Sequence, residues 1–166
     1  MPLGMEDSRV TKQGMKSTSM WDSKYAPWKG RLYGYHSWLA RQRNTNQWLQ
    51  IDLGTVSRVK GISTQGRYNA DQWVTSYTIS KSLNGVKFYP YREGNGVKVF
   101  QGNSERYFVV THRFNRPFKA RFVRIQPRTW RSYIAMRVEL YGCRLGKPTR
   151  LNLLSYQWMY KICIFR

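Results

Sequence analysis

The sequence predicts an all-β domain built as a sandwich or barrel. Three observations point there: short stretches of strict apolar/polar alternation, Gly, Asn and Pro signals between them, and no helical stripe longer than two turns in residues 1–143. Hydrophobic residues make up 41% of the chain and aromatic ones 16%, with seven Trp and twelve Tyr, which favours packed sheet over disorder. At 166 residues the chain fits one domain with a core of its own, so its two cysteines are not a scaffold.

Taken in order, Trp48-Leu-Gln-Ile-Asp-Leu-Gly54 puts Leu49, Ile51 and Leu53 on one face and Trp48, Gln50 and Asp52 on the other, and Gly54 is expected to end the strand. Further strands are expected at Val59–Thr64, Val74–Ser80, Lys87–Tyr91, Lys98–Phe100, Arg106–Phe114, Ala120–Gln126 and Ala135–Tyr141. Asn84-Gly85 predicts a type I′ hairpin, because both residues tolerate positive φ; Asn95-Gly96 is a second candidate, and Arg116-Pro117 is expected to break the late strands apart. Residues 23–46 lack alternation but are rich in Tyr, Trp, Lys and Arg, the pattern of a long functional loop. Residues 144–166 carry five basic and no acidic side chains after a Gly-Lys-Pro breaker and read as an appended tail, leaving 1–143 as the domain.

Charge narrows the partners. The 29 Lys and Arg against eight Asp and Glu give +21, and residues 1–143 alone carry +16, so an acidic partner is expected. No catalytic set is visible: His36 and His112 have no metal-ligand spacing and the acids are scattered. Gly94-Asn-Gly96 lacks the following Lys-Ser/Thr of a phosphate loop. The expectation is a protein that is not an enzyme and uses no cofactor or metal. No run reaches the ~20 apolar residues of a spanning helix, and the first residues do not read as a targeting signal.

Seven motifs carry a family resemblance. Pro2-Leu-Gly-Met5, Asn46-Gln-Trp-Leu-Gln-Ile-Asp-Leu-Gly54, Thr64-Gln-Gly66, Gln72-Trp-Val74, Val99-Phe-Gln-Gly-Asn103, Ala120-Arg-Phe-Val-Arg-Ile-Gln-Pro127 and Met136-Arg-Val-Glu-Leu-Tyr-Gly-Cys143 together resemble the discoidin, or coagulation factor V/VIII type C, pattern in its order. The resemblance implies a galactose-binding-domain-like jelly-roll β-sandwich, or distorted barrel, of about eight core strands with spike loops at one pole. It also implies an extracellular, secreted adhesion module whose loops meet an anionic phospholipid of the phosphatidylserine kind or a sulfated glycan. Collagen or another extracellular protein is the alternative ligand, and nucleic acid is disfavoured for want of a familiar motif. The family commonly pairs a Cys just before Pro-Leu-Gly with the terminal one, here Cys143. Since Met1-Pro2 opens this chain, Cys143 is expected unpaired unless Cys163 substitutes.

Mapped by that resemblance, the first spike offers Lys24, Tyr25, Trp28, Lys29 and Arg31, the second Arg67 and Tyr68, and the turn before the last strand Arg131 and Tyr133. A ring among cations suits an acidic headgroup layer or a sulfated sugar, although Trp28 packed inward beneath its loop is the plainer alternative. Asn69 and Asp71 read as turn formers, and Trp48, Trp73 and Trp130 as packing residues. Alternation places Asp52 and Glu139 where either can pair with Arg121 or Arg124 of a neighbouring strand, so these four are expected to be structural.

Overall fold

The computed structural model describes residues 1–145; from residue 146 onward the expected tail lies outside the described residues. The strands are β1 (Met15–Ser17), β2 (Trp38–Leu39), β3 (Leu49–Gln65), β4 (Trp73–Ser82), β5 (Tyr89–Pro90), β6 (Arg92–Glu93), β7 (Gly96–Val97), β8 (Val99–Gln101), β9 (Val110–Arg131) and β10 (Ala135–Arg144). Helical structure among the described residues is confined to three single 3-10 turns, at Lys12–Gly14, Ser23–Tyr25 and Pro27–Lys29. The strands pair antiparallel in the order β2-β10-β3-β9-β4-β5, with β1 joining β3 and β8 joining β4. The hairpin β6-β7 stands apart.

Four expected strands are two long ones. β3 continues through Gly54, and β9 continues through Arg116-Pro117. Each bends instead of ending: the β3–β9 register shifts between Asp52 and Ser57 and again between Val59 and Gly61. Gly54 supplies the positive φ (75°) at the first irregularity, a conformation that costs a Cβ-bearing residue most. Leu49–Asp52 therefore pairs with Phe122–Ile125, while Ser57–Thr64 pairs with Val110–Ala120. One leg of β9 carries β4 and one leg of β3 carries β10, so two strands each serve both layers of the sandwich. Proline is tolerated at such a bend because a bulged position need not donate to the ladder.

The turns also differ. Asn84-Gly85 lies in a longer loop, since Lys81 pairs with Tyr89, and only Gly85 has positive φ. Asn84 works through its side chain: Oδ1 accepts the N–H groups of Val86 and Lys87. In the β6-β7 hairpin Glu93 faces Gly96, so the turn residues are Gly94 and Asn95, one position earlier than expected. Residues 106–109 are not strand but loop.

Leu49, Ile51 and Leu53 are buried together with Ile79, Val123, Ile125, Val138 and Leu140. Each such side chain contributes about 1.5–3 kcal/mol by leaving water. Beneath the β8 edge an aromatic group continues the core, with Tyr91–Phe114 and Phe114–Phe118 centroids 5.1 and 5.2 Å apart.

Arg121 donates from Nε and Nη2 to the two oxygens of Asp52 at 2.8 and 2.9 Å. Among the described residues Glu139 pairs with no arginine. Its buried carboxylate accepts the backbone N–H groups of Gly4, Met5, Glu6 and Leu140, tying the N-terminal segment to β10. The side chain faces the segment that crosses its strand, and that segment's unpaired donors claim it before any cation can. Arg124 lies between two rings, 4.2 Å from Trp48 and 3.7 Å from Phe88, and donates to Gln50 Oε1. Cys143 is disulfide-bonded, which corrects the expectation of an unpaired thiol; the chain's other cysteine, Cys163, lies outside the described residues.

Two stability predictions follow from these carboxylates. Replacing Glu139 by Gln should lower unfolding free energy by about 2 kcal/mol in urea titration, because charge-assisted bonds weaken and an amide donor meets N–H donors. For Asp52, burial alone would raise the pKa, but the hydrogen bonds from Arg121 and from the Gly54 N–H outweigh it and hold the carboxyl below its usual value. Its stabilisation is thus present above the unfolded pKa of about 3.9 and is lost as pH falls through the lower folded value. Asp52→Asn should be less stable at neutral pH, and the difference should shrink below about pH 4 in acid-unfolding curves.

Candidate functional site

At one pole of the sandwich three loops, residues 31–37, 66–72 and 102–109, meet over the start of β10. Arg137 holds them. It is buried, and its Nε donates to the Gly66 carbonyl at 2.7 Å, Nη1 to Gly34 at 2.8 Å and Nη2 to Arg106 at 2.9 Å. A guanidinium's rigid fork serves three directions at once, which a lysine point charge does not do. Burial lowers its pKa, and the carbonyl bonds satisfy the charge, no carboxylate among the described residues being ion-paired with it.

Short-range contacts finish the platform. Gln65 Oε1 accepts from Tyr33 N, and its Nε2 donates to Tyr107 O. Asn103 Nδ2 donates to the carbonyls of Thr64 and Phe108, while Glu105 Oε1 accepts the N–H groups of Tyr107 and Phe108. Arg106 and Asp71 join the second and third loops at 2.7 Å. Gly66 is required by closeness, since a Cβ there would sit 2.8 Å from the Glu105 carbonyl.

This scaffold displays rings. Tyr35, Tyr68 and Tyr107 form an edge-to-face series across the three loops, with centroids 5.5 and 5.9 Å apart. Tyr35 and Phe108 are 76% and 75% exposed, and Tyr33, Tyr68 and Tyr107 are also solvent-facing. Folded proteins seldom leave so many large rings in water at one place unless a partner covers them.

The residues expected from sequence divide among several roles. Arg67 and Tyr25 are brought together: Arg67 Nη2 donates to the Tyr25 hydroxyl, its guanidinium lies 4.4 Å from that ring, and its other nitrogens donate to Asn69 and Gln72. Tyr68 is the central ring of the series. Lys24 is exposed, its backbone N–H capped by Asp22. Trp28 is half-buried and packs against the core, so it is not a projecting fingertip; with Lys29 and Tyr35 it lines a groove of about 490 Å³. Arg31 is not free to reach a ligand, because its three nitrogens donate to the carbonyls of Trp28, Met5 and Val10. Arg131 stacks 6.0 Å from Trp73. Tyr133 meets Trp21 edge to face at 5.7 Å with Arg43 4.8 Å from its ring, a group separate from the tyrosine series.

Sequence reasoning missed Tyr33, Tyr35, Tyr107 and Phe108. Two tyrosines flanking Gly34 in a non-alternating segment were a usable signal for the first pair. The second pair was hidden by reading Arg106–Phe114 as one strand. Among the described residues no three His, Cys, Asp or Glu side chains stand close enough to hold a metal.

Residues 14–140 match the F5/8 type C domain. Neuropilin-2 of Homo sapiens is 36% identical over 161 residues, covering 93% of this chain and 17% of the relative. Coagulation factor V of Bos taurus is 38% identical over 153 residues, covering 86% of this chain and 7% of the relative. The structure of discoidin II from Dictyostelium discoideum superposes with a TM-score of 0.72 at 30% identity, covering 83% of this chain and 56% of that one. The chain thus spans less than a fifth of the length of these two sequence relatives.

Arg137→Lys should destabilise the domain by about 3 kcal/mol, because two loop carbonyls lose a charged partner in a buried site. Hydrogen exchange should report the loss as faster amide exchange in 31–37, 66–72 and 102–109, beyond any change in the β3–β9 ladder.

Proposed function

The chain belongs to the F5/8 type C, or discoidin, domain family, and on that footing we propose that it is a non-catalytic extracellular binding module that docks on an anionic surface through its three-loop pole. One observation carries the reading: a row of exposed rings on loops clamped by Arg137, within the field of a chain of net charge +21. Rings settle at the headgroup boundary, and each nearby cation adds about 1 kcal/mol of attraction to acidic lipid. The exposed phenyl ring of Phe108, which carries no polar handle, favours an acidic phospholipid membrane over a sulfated glycan at this pole. Lys24, Lys29, Arg67 and Arg131 supply the surrounding charge; the domain boundary expected at 143 moves to the end of β10 at Arg144, and the residues beyond that strand are taken as an appendage.

Recognition of a protein ligand, collagen or a receptor ectodomain, is the second reading. The groove beside Trp28, walled by Tyr35 and His36, favours it, because a half-buried ring next to a cavity suits an inserted side chain.

Binding to phosphatidylserine vesicles should be strong at low salt, absent with uncharged phosphatidylcholine, and should weaken steeply as ionic strength rises and the Debye length falls below about 10 Å. Phe108→Ala and Tyr35→Ala should each weaken vesicle binding about tenfold, the loss of one buried ring's insertion energy, with unchanged melting temperature. Trp28→Ala should instead lower the melting temperature. Absence of vesicle binding at low salt would refute the membrane reading, and equal binding to neutral vesicles would refute the electrostatic part of it.

A further inference from the structure

The end of the sandwich remote from the aromatic loops is also built for a partner. β4 leaves the loop pole at Trp73, beside Gly66, and ends at Ser82, about 30 Å away at the usual rise per strand residue. There Lys81, Lys87 and Lys119 surround a groove of about 340 Å³, with Ser82, the exposed Leu83, Asn84 and Tyr89 completing its lining. None of the three lysines is ion-paired among the described residues. Two are positioned by rings: the Lys81 ammonium lies 5.1 Å from the Phe118 ring, and that of Lys87 lies 5.4 Å from Tyr89. The backbone beneath is held by hydrogen bonds. Ser82 Oγ accepts from Asn84 N and Gly85 N, and Asn84 Oδ1 accepts from Val86 N and Lys87 N, so the turn that carries Lys87 is stapled.

The cations continue beyond the groove. Arg58 of β3 sits directly across from Lys119 of β9, and like charges in that relation destabilise a sheet. The buried Arg58 Nε has no hydrogen-bond partner among the described residues. Further along β9, Arg113 pairs with Gly61, and the Lys60 ammonium between them has a lowered pKa, first from burial and then from the charges of Arg58 and Arg113. From Arg113 to Lys119 the strand covers up to about 20 Å. A compact fold accepts such crowding at a cost that a bound polyanion removes.

We propose that this pole is a second binding surface, for a linear sulfated polysaccharide, in which Lys81, Lys87 and Lys119 hold sulfate or carboxylate groups and the exposed Tyr89 ring receives a sugar face. A chain ligand matches a groove that opens onto a strip. A sugar face matches the ring, the exposed Leu83 and the neighbouring hydroxyl and amide groups, and the cations line a concavity in which a linear chain can lie. The two poles are then independent, and the domain bridges a polysaccharide and whatever its loops engage.

The test is calorimetric titration of the whole chain with a heparin-type sulfated dodecasaccharide and with the same chain stripped of sulfate. The double substitution Lys87→Gln with Lys119→Gln should weaken the sulfated chain about tenfold and flatten the salt dependence of affinity, since two counterion-releasing contacts are gone. Phe108→Ala should leave polysaccharide affinity unchanged, and the double variant should leave phosphatidylserine vesicle binding unchanged, so failure at one pole is distinguishable from failure at the other. Circular dichroism melting of the double variant should be no lower than the parent's, both residues being exposed and the Arg58–Lys119 repulsion being relieved. The proposal is overturned if the double variant binds the dodecasaccharide as the parent does, if the desulfated chain binds equally well, if Phe108→Ala abolishes the interaction, or if a single-stranded oligonucleotide of equal charge competes as effectively.

Discussion

The loop pole depends on one buried cation. Arg137 is the third residue of β10, and it gives its donors to one carbonyl from each of three loops. Those carbonyls belong to segments far apart in sequence, so ordering them carries an entropic cost that charge-assisted bonds in a water-poor site offset. Every ring of the tyrosine series stands on a loop that this guanidinium anchors. Without it the three loops would lose their common floor.

The same device recurs with opposite sign and on a smaller scale. Glu139, two residues along the strand, gathers the N–H groups of Gly4, Met5 and Glu6, and Arg31 gathers the carbonyls of Met5, Val10 and Trp28. Three buried or half-buried ionic groups thus hold irregular backbone against a regular sheet. Irregular segments cannot satisfy their own polar groups, and burying them without such partners would cost about 1–3 kcal/mol per group. Charged side chains here are therefore partly architecture, and the net charge alone overstates the number available to a ligand.

A division of labour between the ends of the sandwich follows from the bent strands. Because β3 and β9 each cross from one layer to the other, both ends of β9 return to the loop pole, while its bend defines the opposite one. At the loop pole Asp71 and Glu105 temper the positive charge and rings dominate. At the bend Arg113, Arg116 and Lys119 follow one another with no acid between them in the chain, and the rings there serve to hold lysines. Two surfaces of different chemistry arise on one rigid body.

Alternation, composition and the seven motifs determined the fold class, the core face of Leu49, Ile51 and Leu53, and the basic character, because these are properties of neighbouring residues and period-two geometry. Tertiary structure decided the rest. Whether Gly54 and Pro117 end strands or bend them depends on partners supplied from elsewhere in the chain, and so does the choice of Glu139 for backbone donors over an arginine. Arg31 and Arg67 look alike in sequence as loop cations, yet one is consumed by carbonyls and the other stands over Tyr25. Tyr35, Tyr68 and Tyr107 are separated by more than thirty residues at each step, and only the closing of three loops on Arg137 makes them one surface. Local pattern reports which way a side chain faces on its own strand; which other segment it meets is a matter of chain closure, and no local pattern carries it.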